Sequence, residues 1–365
     1  MDNAEFEEKT RRVRDLLDRR GLDALLLNRS ANAAWLSCGG RTYINTATDT
    51  GVGSLLVTPT GHYLLTDNIE ADRLRDEEGF DSNDWEIVAE PWYEPGRKLA
   101  ELTSSLRVGT DLPRDGFVDV SADVAQMRWL LTPAEVERFR ALGADAGAAL
   151  GEAATQVRPG MTEDAIAGLL AEAVHRHGAV PVVVLVASDD RLRRRRHPLP
   201  TGKPLEHTAM LVICARRHGL VASATRFVHF GELSEEQRRG TQAVATVEAT
   251  TLLATKPGVK ANSIFRVIQD AYRQNGYPGE WENHHQGGAA GYEARDYVAT
   301  PYTEHVVQAV QAFAWNPSVP GAKSEDTYLI TDGLPELLTA TPGWPQQQIE
   351  VGGVVMQRPD ILIAG

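Results

Sequence analysis

The sequence predicts an α+β protein in two parts: a small α/β domain over residues 1–128 and a larger domain over residues 129–365. Three observations carry that prediction. A chain of 365 residues is long for one hydrophobic core and comfortable for two. Helix and strand signals alternate through the first third. After Met127 the order helix, Pro-Gly, helix, strands occurs twice, at Pro159-Gly160 and at Pro257-Gly258, which is an internal pseudo-repeat.

Glu5 to Arg20 has the spacing of an amphipathic helix, with Val13, Leu16 and Leu17 on its apolar face and Gly21 to end it. Leu22 to Leu27 reads as a buried strand. Ser54 to Thr58 and His62 to Thr66 flank Pro59-Thr60-Gly61 and form a β-hairpin. Arg107 to Thr110 is a further short strand. Pro133 opens a long helix through Phe139, Ala146 and Leu150, as a proline in the first turn should. A second helix runs from Asp164 to His177. Strands are expected around Val182 to Val186, Met210 to Cys214 and Leu220 to Phe230. Helices follow from Glu235 to Ala254 and from Asn262 to Asn275, and antiparallel strands finish the chain.

A net charge of −13 and an isoelectric point near 5.3 argue against nucleic acid or an anionic membrane as partner. No apolar run is long enough to span a bilayer. The acidic start, Met1 to Glu8, is unlike a signal peptide, and two unpaired cysteines, Cys38 and Cys214, fit a reducing compartment. A cytoplasmic protein acting on a small molecule is the expectation.

The chemistry concentrates in the second half. Trp315-Asn316-Pro317 is followed by Gly321-Ala322-Lys323-Ser324-Glu325-Asp326-Thr327, and His284-His285-Gln286-Gly287-Gly288 lies upstream. Leu211-Val212-Ile213-Cys214 and Ser223-Ala224-Thr225-Arg226 lie on strands before them. This layout resembles the creatinase / aminopeptidase P / prolidase (M24) family, and the resemblance covers nearly the whole chain. It implies a creatinase/prolidase-like N-terminal domain, supported by Asn32 to Gly40 and Asp67 to Arg73. It also implies a C-terminal pita-bread domain, two helix pairs on one curved antiparallel sheet.

In the family five residues hold two divalent cations. Matched position by position, Cys214, Ser223 and Asn316 stand where three ligand carboxylates belong, while His285 and Glu325 keep their places. One imidazole and one carboxylate are too few hard donors for two ions, so the resemblance implies a chain without metal or other cofactor. His197, in Arg196-His197-Pro198, matches the histidine beside the scissile bond, which in creatinase, the metal-free member, transfers the proton. Glu293 matches the glutamate of the family's His-Glu pair, and Tyr292 occupies the histidine position of that pair.

The catalytic candidates are therefore His197, His285, Glu325, Glu293 and Cys214. Cys214 qualifies if His285 and Arg226 lower its pKa, its bland reading being a small buried hydrophobe. Glu293 has an equal structural reading, a salt bridge to Arg295 or Arg226. An imidazolium on His285 is expected to neutralise Glu325. The run from Arg191 to Arg196 is expected to be a solvated loop offering guanidinium groups to a substrate carboxylate. Substrate contacts are assigned to Tyr292, Asn316, Arg226, Ser223 and Arg295. Tyr43, with Arg41, Asn45 and Asp49, lies on a Gly/Thr-rich loop that reaches a partner's site if the chain forms the family's homodimer, and is otherwise a mobile surface loop.

These residues suggest a metal-independent enzyme cleaving a C–N bond by histidine acid/base chemistry. The alternatives are a lyase or isomerase using the same histidine, an ordinary Xaa-Pro peptidase, and a non-catalytic peptide-binding domain.

Overall fold

The computed structural model describes residues 3–81 and 84–364. The chain divides into two compact units, Met1–Arg128 with His218–Leu220, and Trp129–Arg217 with Val221–Gly365. In the first unit the helix Asn3–Arg20 buries Val13 and Leu16 completely, as its spacing requires. Six strands form one mixed sheet in the order Glu86–Glu90, His62–Asp67, Thr50–Val57, Ala24–Arg29, Val108–Thr110, Val118–Asp119. The hairpin pairs Val57 with His62 across the turn, and Ala24 to Leu27 are fully buried beside it.

The second unit carries the repeat, and its two halves are built alike. Helices Pro133–Gln156 and Glu163–Arg176 form one pair, and Glu235–Ala254 and Ala261–Gln274 the other. Thr132 and Glu135 make a reciprocal capping box at the start of the first helix, and Ser234 and Gln237 do the same at the third. Between the helices of each pair, Gly160 and Gly258 take left-handed φ values of 87° and 85°, which a residue with a Cβ adopts only at a cost. Each glycine N–H is bound by a strand-like segment: Gly160 donates to the Leu205 carbonyl at 2.7 Å, and Gly258 to that of Val307 at 3.0 Å. The bridges Thr162 to Pro204 and Lys260 to Val306 repeat the relation two residues later.

The strands form two main hydrogen-bonded sheets rather than the single curved one expected. One has four strands, Val180–Ser188, Thr208–Arg217, Leu220–Phe230 and Leu362–Ala364; the other has five, centred on Gln311–Trp315 and Asp326–Ile330. Side-chain bonds and single backbone bonds, rather than a continuous ladder, join the sheets where they meet. The Thr327 hydroxyl accepts from the Ser223 N–H at 2.8 Å and donates to its carbonyl at 3.0 Å, and the Thr225 N–H donates to the Glu325 carbonyl. The second helix pair buries Ile264, Phe265, Ile268 and Tyr272 against Phe313, Trp315 and Tyr328, each contributing ~1.5–3 kcal/mol of hydrophobic stabilisation. No helix among the described residues is long and apolar enough to cross a membrane.

Candidate active site

Two clusters converge in the second unit. The first begins with buried Glu163, whose carboxylate accepts from Ser188 N–H and Oγ at 2.8 and 2.9 Å and from Thr201 N–H and Oγ at 3.1 and 2.7 Å, and pairs with Arg191. These bonds close the loop that carries His197. Arg196 then pairs with Glu280, on the short helix Glu280–Asn283 that immediately precedes His284 and His285. Three imidazoles meet as a result. The ring centroids of His197, His284 and His285 lie 4.7, 4.7 and 5.2 Å apart. His197 Nε2 is 3.0 Å from His284 Nε2, and His284 Nδ1 is 2.9 Å from Ser318 Oγ. His284 is buried; His197 and His285 reach solvent.

The second cluster surrounds Glu325, which is buried at 3 % exposure. One carboxylate oxygen accepts from Arg295 at 2.7 Å; the other accepts from Lys323 at 2.7 Å and from the Thr225 hydroxyl at 2.7 Å. Arg295 also donates to Ser223 Oγ at 3.3 Å, and Ser223 Oγ donates to Cys214 Sγ at 3.2 Å. The pairing of Trp315 with Asp326 sets Asn316 across from Glu325. Asn316 Oδ1 and Arg295 Nε are buried without a hydrogen-bond partner among the described residues. Each orphaned polar atom is costly unless a ligand or water completes it.

Burial pushes the Glu325 carboxyl up, and the charges of Lys323 and Arg295 outweigh that and hold it well below the usual carboxylate range. Burial lowers all three histidines as well. His197 falls below 6.5, helped by Lys323. His285 falls to about 4, with Arg295 adding to the effect, and His284 to about 2, with Lys323 adding. All three rings are therefore neutral at pH 7. The expected imidazolium on His285 is not what balances Glu325: Lys323 and Arg295 already do so.

Several expectations need correction. Arg226 does not face a substrate: at 1 % exposure it pairs with Asp326 at 2.8 Å and donates to Thr341 Oγ1 at 2.9 Å and the Thr339 carbonyl at 2.9 Å. Tyr292 is equally committed to the interior, with its hydroxyl donating to Glu135 at 2.7 Å. Glu293 is exposed, and the two arginines offered as its partners pair with Glu325 and Asp326 instead. Cys214 is no thiolate, because burial, reinforced by the Glu325 charge, raises its pKa above the ordinary value. The arginine run is partly helical, over Asp190–Arg194, and Arg191, Arg193, Arg194 and Arg196 are paired with Glu163, Glu236, Asp190 and Glu280. Gly287 and Gly288 admit neighbouring backbone: a Cβ at either would stand 2.1 Å from the carbonyl oxygen of Ala314 or Tyr297. In the first unit Arg41 pairs with Glu78, Asp49 with Arg29, and Asn45 Oδ1 accepts from Ala47 N–H, on the segment that also holds Tyr43. Lys323 and His284 also line the two clusters, though neither was among the candidates named from the sequence. The basic side chain two residues before Glu325 and the doubled histidine were the signals for them.

Two helix pairs on largely antiparallel sheets, with polar residues from both halves converging on Glu325, define a pita-bread protein. A model of "Metallopeptidase family M24" matches residues 137–332 and one of "Creatinase/Prolidase N-terminal domain" matches residues 9–130, and the chain belongs to the M24 family, a family of hydrolases. Among curated relatives, the Xaa-Pro dipeptidase of Pyrococcus horikoshii is 22% identical over 358 residues, 92% of this chain and 98% of that protein. The Xaa-Pro dipeptidase of Lactobacillus helveticus is 24% identical over 61% of this chain and 64% of its own length. Similar solved structures include the prolidase from P. horikoshii (TM-score 0.77, 20% identity, 92% of this chain and 98% of that one) and the Xaa-Pro dipeptidase from Bacillus anthracis (0.78, 18%, 98% and 100%). The N-terminal domain of the FACT complex subunit SPT16 from chickpea shares the fold as well (0.69, 11%, 94% and 97%).

The family name implies metal, and the residues present do not fit the family's paired ions. Both oxygens of Glu325 are taken by side-chain cations, Cys214 is held as a thiol, and Ser223 and Asn316 bring no charge. Two further cations there would meet Lys323 and Arg295 at close range with one carboxylate to offset them all.

Proposed function

We propose that the protein hydrolyses a C–N bond in a small polar, amino-acid-like substrate, with His197 moving the proton and with Lys323 and Arg295 supplying the positive charge that divalent cations supply elsewhere in the family. The observation that carries this reading is the 2.7 Å contact of each cation with its own oxygen of Glu325. Neutral, solvent-reaching His197 is suited to take a proton from an attacking water and return it to the leaving nitrogen. General acid/base catalysis of that kind is worth roughly 10² to 10⁴ in rate. His284 positions the ring through the contact between their Nε2 atoms. The unpartnered Arg295 Nε–H and Asn316 Oδ1 offer one donor and one acceptor to the polar group of the substrate. A lyase or isomerase using the same histidine is separated from a hydrolase by products formed in heavy-oxygen water, which label only if water is added.

A second reading, a metal-dependent Xaa-Pro dipeptidase, is favoured by the names of the curated relatives and by the presence of His285 and Glu325 at ligand positions. A single experiment separates the two. The purified chain is assayed on Xaa-Pro dipeptides and on amino acids with amide or guanidino groups, with and without chelator. We expect turnover that survives chelation and is lost in His197→Ala. Turnover that chelator abolishes and manganese or cobalt restores selects the dipeptidase.

A further inference from the structure

The three histidines have a second capacity that the proposed chemistry does not use. We infer that His197, His284 and His285 form a mononuclear site for a borderline transition cation such as zinc or cobalt, which shares His285 with the family's paired-ion position but does not use Glu325. One nitrogen from each ring lies within 4.8 Å of the other two. With bonds of ~2.0–2.1 Å, the ligand atoms of a tetrahedral ion stand roughly 3.3–3.4 Å apart. The 3.0 Å between His197 Nε2 and His284 Nε2 opens slightly to reach that spacing, and the wider pairs close to it. The rings free to make the adjustment are the right ones, because His197 and His285 are solvent-exposed.

His284 is the fixed ligand. It is buried, and Ser318 Oγ, 2.9 Å from its Nδ1, accepts the ring N–H in the tautomer that leaves Nε2 bare toward the other two. An oxygen partner on the far nitrogen is the usual means of setting a metal-binding imidazole. Ser318 is itself held, since its N–H donates to the Tyr272 hydroxyl at 2.7 Å and Tyr272 is buried. Three imidazoles and no carboxylate favour zinc, copper, nickel or cobalt over magnesium, calcium or manganese, and leave a fourth position for water. Lys323 and Arg295, offset by Glu325 alone, leave one surplus positive charge nearby that lowers the affinity without changing the ligands. One consequence rests on the functional reading above: an ion here occupies a lone pair of His197 and withdraws it from proton transfer, so zinc inhibits.

The site is tested by titrating the full chain with cobalt(II) and following the visible bands of four-coordinate cobalt, a readout that owes nothing to turnover. One equivalent is expected. Ser318→Ala is expected to weaken binding about ten-fold or more, and His284→Ala or His285→Gln to weaken it further, with circular dichroism showing that each variant is folded. Glu325→Gln retains one-equivalent binding. Binding unchanged by His284→Ala, two equivalents per chain, or loss in Glu325→Gln with retention in His284→Ala each overturns the site, as does a folded wild-type chain that binds no cobalt.

Discussion

Each oxygen of the Glu325 carboxylate has its own cation at 2.7 Å, and neighbouring histidines are kept neutral by burial and by the same cations. Two measurements follow at this scale. His197 must be neutral to accept a proton, and its pKa lies below 6.5, so the acid limb of kcat/KM is expected below pH 6.5; a limb above that value contradicts the placement of His197. His285 protonates at about 4 in the folded chain against 6.5 for the unfolded reference. Between those values the unfolded chain binds more protons, so this residue makes stability rise with pH from about 4 to about 6.5 and adds no slope above. Thermal melts of wild type and His285→Asn are therefore expected to diverge in steepness inside that window and run parallel above it. Arg226 gives the stability counterpart: removing its side chain leaves Asp326 buried with one partner fewer, and Arg226→Ala is expected to cost about 3–5 kcal/mol in urea unfolding. A loss under 1 kcal/mol would return Arg226 to the list of solvent-facing site residues.

At the scale of elements, the halves of the second unit repeat down to the turn. Gly160 and Gly258 have open space where a Cβ would sit, so strain in φ is the whole cost of an alanine. Gly160→Ala and Gly258→Ala are each expected to destabilise by about 1–2 kcal/mol, and by similar amounts. Unequal losses, read by denaturant titration, would mean the turns are not equivalent. This level was also the most legible in the sequence. Helix Glu235–Ala254 and strand Leu220–Phe230 fall where periodicity put them, because hydrophobic spacing and Pro-Gly punctuation are local properties. The site was legible only where a motif fixed it. Glu325, His285 and Asn316 came from linear spacing, and Lys323, two residues before Glu325, lay within reach of the same motif, whereas Arg295 on Glu325 and His197 on His284 are contacts between distant segments that no spacing encodes. The two arginines show the limit: Arg226 and Arg295 looked equally suited to a substrate, and burial and pairing alone tell them apart.

For the whole molecule, membership of the M24 family accounts for the fold, and the proposed chemistry rests on the side chains at the family's paired-ion position. The central claim is that Lys323 and Arg295 occupy the electrostatic role of two cations. Anomalous scattering from crystals grown in saturating manganese, an ion that prefers oxygen ligands, tests it most directly. The account predicts no ion bound to Glu325, with both salt bridges intact at 2.7 Å. Two manganese ions bridged by Glu325, with Lys323 and Arg295 swung away, would contradict it.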